Sequence, residues 1–160
     1  RKLIDRWGLR APIAALLEMG VPALGTCAGM ILLARDIVDG DEPVFPLLDV
    51  SVKRNAFGRQ LDSFEAELEV PVLGDMPLHA VFIRAPLVER VGDEVDVLAR
   101  LRDGSVVAVR QRNVIATAFH PELSGEARFH RLLTTMAAAY EEPAEGSGRR
   151  PHPTRRGSEA

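Results

Sequence analysis

One short stretch restricts this chain more than any other: Gly25-Thr26-Cys27-Ala28-Gly29-Met30, which holds the only cysteine in 160 residues. The apolar run Val21-Pro22-Ala23-Leu24 before it reads as a buried strand, and Met30-Ile31-Leu32-Leu33-Ala34 after it reads as a helix. Cys27 therefore sits at a strand-to-helix turn with a glycine two positions away on each side, a cysteine version of the G-x-S-x-G nucleophile elbow. A turn this tight strains the backbone at the nucleophile, and neighbours without a Cβ avoid clashing there. The helix N-terminus presents free N–H groups and partial positive charge, which favours a thiolate and is expected to pull the cysteine below its free pKa of about 8.5. The same five residues are also compatible with a buried structural cysteine, so a partner has to be found elsewhere in the chain.

Composition narrows the class. The length suits one domain, the apolar fraction of 46% suits a globular core, and the net charge of −3 provides no broad basic field for nucleic acid. A lone cysteine allows no internal disulfide, which fits a reducing cytoplasm, and no apolar run is long enough to span a bilayer.

Taken in order, Leu3, Ile4 and Trp7 predict a short amphipathic helix over 1–9. Pro12 suits the first turn of a second helix, with Ile13, Leu16 and Leu17 on its apolar face and Gly20 as its stop. The elbow helix is expected to run to about Ile37, and residues 39–43 form a loop. Alternation predicts strands over 48–55 and 64–70, the second with Glu65, Glu67 and Glu69 on one face. A short strand over 79–83 ends at Arg84-Ala85-Pro86, and strands over 95–101 and 105–110 make a hairpin around Asp103-Gly104. A strand over 114–119 leads into His120-Pro121-Glu122, and a last helix spans about 124–140. Residues 1–140 thus form an α/β layered domain, whereas residues 141–160, rich in Pro, Gly, Ser, Arg and Glu, are expected to be a disordered tail.

A thiol nucleophile needs a base, and the base needs an orienting group. Of four histidines, His152 lies in the tail, His130 in the last helix, and His79 has no acid beside it in sequence. His120 ends an apolar strand, where an α/β sheet places its reactive groups, and Pro121 disfavours helix at His120. In extended backbone Glu122 falls on the same side as His120 and can hold its tautomer. Alone, His-Pro-Glu also fits a turn with an exposed histidine; the cysteine elbow in the same chain favours the pair.

Gly25-Thr26-Cys27-Ala28-Gly29 together with Ala118-Phe119-His120-Pro121-Glu122 resembles the class I (triad) glutamine amidotransferases. The segments from Val52 to Gln60, Ser63-Phe64-Glu65 and Val81 to Pro86 resemble the glutaminase subunit of pyridoxal 5′-phosphate synthase. The resemblance runs over about residues 1–140 and implies a three-layer, flavodoxin-like α/β fold. It implies Cys27 as nucleophile, His120 as general base and acid, Glu122 as the orienting carboxylate, and the Ala28 N–H as an oxyanion donor. It also implies that Arg54, Ile83 and Arg84 contact L-glutamine, and it leaves Arg59 and Glu65 in family motifs without an assigned role. The implied reaction is hydrolysis of glutamine to glutamate and ammonia, with no metal or organic cofactor. The ammonia would pass to a barrel-shaped synthase subunit, the implied partner. Alternatives are a glutaminase serving another synthase such as that of histidine biosynthesis, a partner subunit that kept the fold without the chemistry, and an unrelated cysteine hydrolase. Because the chain starts at Arg1 in a helical pattern, it is further expected to lack the N-terminal strands and glycine-rich loop of the family and to be impaired.

Overall fold

The computed structural model describes residues 1–54 and 63–141. The expectations for residues 55–62, Arg59 among them, and for the tail beyond Glu141 fall outside the described residues. Two helices come first, α1 (Lys2–Arg6) and α2 (Arg10–Glu18). Gly20 ends α2 at φ 83°, with its N–H on the Leu17 carbonyl and that of Val21 on the Leu16 carbonyl. That double bond is the Schellman closure, and its left-handed residue is why the stop is a glycine. Ile4, Ile13 and Leu17 pack against the core, while Leu3, Trp7 and Leu16 of the expected apolar faces remain exposed.

The strands are β1 (Ala23–Thr26), β2 (Ala34–Ile37), β3 (Leu48–Lys53), β4 (Ser63–Leu68), β5 (Leu78–Ile83), β6 (Leu87–Val91), β7 (Asp96–Arg100), β8 (Val106–Gln111) and β9 (Val114–Thr117). Helix α3 (Ala28–Leu33) follows the elbow, and α4 (Arg128–Ala138) closes the described chain. Among the described residues, seven strands form one mixed sheet in the order β1-β9-β8-β6-β3-β2, with β7 paired to β8, while β4 and β5 make a separate antiparallel ribbon. The layered α/β arrangement expected from the sequence is the one observed.

Two local expectations are corrected. The elbow helix stops at Leu33, not Ile37, and residues 34–37 are the parallel partner of β3. Ala34 and Ile37 face the core, Asp36 accepts the Ser51 hydroxyl at 2.7 Å, and Arg35 pairs with Asp49 at 3.2 Å. These long-range partners outweigh a helical propensity worth only tenths of a kcal/mol per residue. Strand β6 was not foreseen. Its Leu-Val-Glu-Arg-Val pattern is short, and its pairing with β3 decides its conformation.

A line of four aromatic rings fixes the ribbon to the large sheet. Phe64 stacks on Phe82 at 4.4 Å, Phe82 meets Phe119 at 5.5 Å, and Phe119 meets Phe129 edge-on at 5.7 Å. Such ring pairs contribute about 0.5–1.5 kcal/mol each beyond the area they bury. Phe82 lies between Val81 and Ile83, and Phe119 immediately precedes His120, so this packing sets where β5 stands relative to His120.

Candidate active site

Cys27 adopts φ 49° and ψ −103°, between β1 and α3. Of the three non-glycine residues with positive φ among the described residues, Cys27 and Arg84 both belong to this site; Arg112 is the third. Conformations of this kind cost about 1–3 kcal/mol and persist where the surroundings over-determine them. At Cys27 the N–H donates to the Thr117 carbonyl at 2.8 Å and the carbonyl accepts from the Met30 N–H at 3.0 Å. The glycines differ in their use. A Cβ on Gly25 would stand 2.5 Å from Leu33 Cδ1 and 2.7 Å from the Gly29 carbonyl carbon, whereas one on Gly29 meets nothing within 4 Å. Only the first glycine is sterically required by the elbow.

His120 leaves the sheet beside the elbow because β1 and β9 are parallel neighbours in register, Thr26 opposite Thr117. Strand β5 then touches both residues. The Val81 carbonyl accepts the His120 N–H at 2.9 Å, and the Ile83 carbonyl accepts the Cys27 thiol at 3.7 Å. Carbonyls two residues apart in a strand point the same way, about 6.6 Å from each other, so one edge of β5 holds the thiol and the histidine backbone together.

Glu122 lies in a 3₁₀ turn (Pro121–Leu123), with Oε1 2.7 Å from His120 Nδ1. Burial acts to raise the Glu122 carboxyl, but the His120 hydrogen bond, its own N–H and the charges of His120 and His130 outweigh it and hold the carboxyl below the ordinary range. An ionised carboxylate only accepts, so Nδ1 carries the proton and Nε2 is left as the basic nitrogen. His130, placed in the last helix by the sequence, is among the groups that lower the Glu122 carboxyl.

The thiol departs from expectation. Its pKa is pushed up, not down: burial dominates and the Glu122 charge adds to it, against the Ala28 N–H and the Arg84 charge. A helix of six residues supplies little field, and one backbone N–H does not offset desolvation of the thiolate. The Ala28 N–H nevertheless opposes that shift, favouring the thiolate.

The residues expected to contact glutamine separate into two groups. Ile83 and Arg84 stand at the thiol, the first through its carbonyl and the second through its charge. Arg54 instead engages the 39–41 loop, with Nη1 on Asp41 at 2.6 Å and its N–H on Asp39 at 2.9 Å. Its buried Nε has no hydrogen-bond partner among the described residues. The Val81, Ile83 and Thr117 carbonyls were not foreseen, because backbone groups leave no mark in a sequence. No group of three or more His, Cys, Asp or Glu among the described residues is arranged to hold a metal ion.

With this geometry in hand, comparison with known proteins is decisive. The model of the SNO glutamine amidotransferase family matches residues 1–138. The chain belongs to that family. A pyridoxal 5′-phosphate synthase subunit PdxT from Herpetosiphon aurantiacus is 56% identical over 135 residues, covering 82% of this chain and 71% of the relative. Another from Dehalococcoides mccartyi is 52% identical over 142 residues, covering 87% and 72%. A glutamine amidotransferase crystal structure superposes with a TM-score of 0.78 at 45% identity, over 86% of this chain and 72% of that one. Membership of the glutamine amidotransferase family accounts for the elbow, the His-Pro-Glu turn and the layered fold together.

Proposed function

We propose that this chain is a glutaminase that hydrolyses L-glutamine to glutamate and ammonia and delivers the ammonia to the barrel subunit of pyridoxal 5′-phosphate synthase. The observation that carries the reading is the 2.7 Å contact of His120 Nδ1 with Glu122, on a turn joined through β5 to the strained Cys27 elbow. Kinship with PdxT subunits supports the partner and the pathway.

In this reading His120 Nε2 takes the Cys27 proton, and the thiolate attacks the side-chain amide carbon of glutamine. The oxyanion that forms is met by the Ala28 N–H. His120 then protonates the leaving nitrogen, ammonia departs, and a thioester remains on Cys27. Water, deprotonated by the same imidazole, releases glutamate and restores the thiol. Glu122 holds the tautomer and stabilises the imidazolium. Ile83, Arg84 and Arg54 are the groups for orienting glutamine. The chemistry needs no metal or organic cofactor, and a lone cysteine that must stay a free thiol fits a reducing cytoplasm. No helix among the described residues is long and apolar enough to cross a membrane.

The test is ammonia release from glutamine, measured with and without the synthase subunit. Release that rises on adding the subunit is the expected result. No release in either case, with Cys27 intact and the fold verified, overturns the reading.

A further inference from the structure

Arg128, the first residue of α4, has its guanidinium engaged on several sides. Nε donates to Glu126 Oε1 at 2.9 Å and Nη2 to Glu126 Oε2 at 2.7 Å, a bidentate pair. Nη1 donates to the Met76 carbonyl at 2.6 Å and Nη2 also to the Pro77 carbonyl at 2.8 Å. Both side chains are largely covered, 22% exposed for Arg128 and 14% for Glu126. Glu126 is itself tied to the site, its N–H donating to the Pro121 carbonyl at 3.1 Å.

These bonds connect two segments that are far apart in sequence. Met76 and Pro77 lead directly into β5, whose carbonyls meet His120 and Cys27. Pro121 belongs to the His-Pro-Glu turn. We propose that the Arg128–Glu126 pair is a positioning clamp for glutamine hydrolysis. It holds the start of β5 against the His-Pro-Glu turn, so that the Val81 and Ile83 carbonyls present His120 and Cys27 in reacting geometry. The clamp rests on the glutaminase reading above and names residues that act through the site's framework. Arg128 touches neither the thiol nor the imidazole, so it is a positioning residue. A lysine cannot replace it, because a point charge on a flexible stem does not serve two carbonyls and two carboxylate oxygens at once.

The test uses the chain with its synthase partner and compares the parent with Arg128→Ala, Arg128→Lys and Glu126→Gln. Reactive sites are counted by covalent titration of Cys27 with a glutamine-like electrophile, and kcat is expressed per titrated site. A misplaced site costs roughly 10–10² in turnover, so the expected result is a fall of that size per site in Arg128→Ala, with KM changed far less. Arg128→Lys and Glu126→Gln should fall between parent and alanine. A residue that only stabilises the fold would lower the number of titrated sites and leave turnover per site unchanged; that outcome overturns the clamp. Should Arg128→Ala fail to fold, the same division between site number and turnover is read from Arg128→Lys and Glu126→Gln. A parent that never releases ammonia overturns the clamp and the glutaminase reading together, whereas an active parent matched per site by all three variants overturns the clamp alone.

Discussion

The Ile83 carbonyl oxygen lies 3.7 Å from the Cys27 sulfur and accepts a hydrogen bond from its thiol. The carbonyl comes from an element 56 residues away, and it stabilises the thiol over the thiolate. Together with burial, it describes a nucleophile kept protonated in the free chain.

The thiol should therefore react slowly at neutral pH. Its pKa is raised, chiefly by burial, so alkylation of Cys27 is expected to keep accelerating as pH climbs past the ordinary thiol value. Arg84 opposes the shift, and Arg84→Gln should move the alkylation profile to still higher pH. Rates of iodoacetamide labelling between pH 6 and 10 would check both; a parent profile centred below the ordinary thiol value contradicts them.

His120→Asn is expected to abolish glutamine turnover, and Glu122→Gln to lower it by about 10²-fold or more while leaving some activity. The histidine moves protons in both half-reactions, and the carboxylate acts only through it. Because the Glu122 carboxyl is held below its usual range, its contribution persists at neutral and mildly acidic pH and disappears only as pH falls through that lowered value. Steady-state ammonia assays over pH 4–8 test the order; equal, negligible effects of the two changes would rule out the pair.

Gly25→Ala should destabilise the protein by about 1–3 kcal/mol, since the added Cβ meets backbone of Gly29 that cannot rotate away. Gly29→Ala should leave stability unchanged or raise it by up to about 1 kcal/mol, as its Cβ finds open space within a helix. Urea denaturation of both variants measures the contrast, and equal losses would contradict the elbow packing described here.

His79 makes the ribbon pH-sensitive. Its Nδ1 lies 2.6 Å from Glu67 and its Nε2 2.9 Å from Glu65, and these two bonds, Glu67 first, raise the imidazole pKa. A raised folded value gives a contribution fully present below the unfolded value of about 6.5 and lost as pH rises through the folded one. Parent melting temperatures should accordingly fall over that interval relative to those of His79→Gln. Parallel curves for the two proteins would count against it.

Much of the site can be read along the chain because its chemistry is local. The elbow needs a glycine, a cysteine and a strand-to-helix change within five residues, and the imidazole and its carboxylate lie two residues apart. Periodicity likewise located most strands, since a half-buried strand writes its faces into alternating residues. The tertiary structure decided what depends on distant partners. Residues 34–37 became a strand through Asp49 and Ser51, and His79 acquired acids that are absent from its own neighbourhood in sequence. The protonation preference of Cys27 was read in the wrong direction, because desolvation depends on how much chain covers a group, and no short motif reports that. The carbonyls of Val81 and Ile83 that hold the site are the same in every amino acid, so only the folded chain reveals which of them are used.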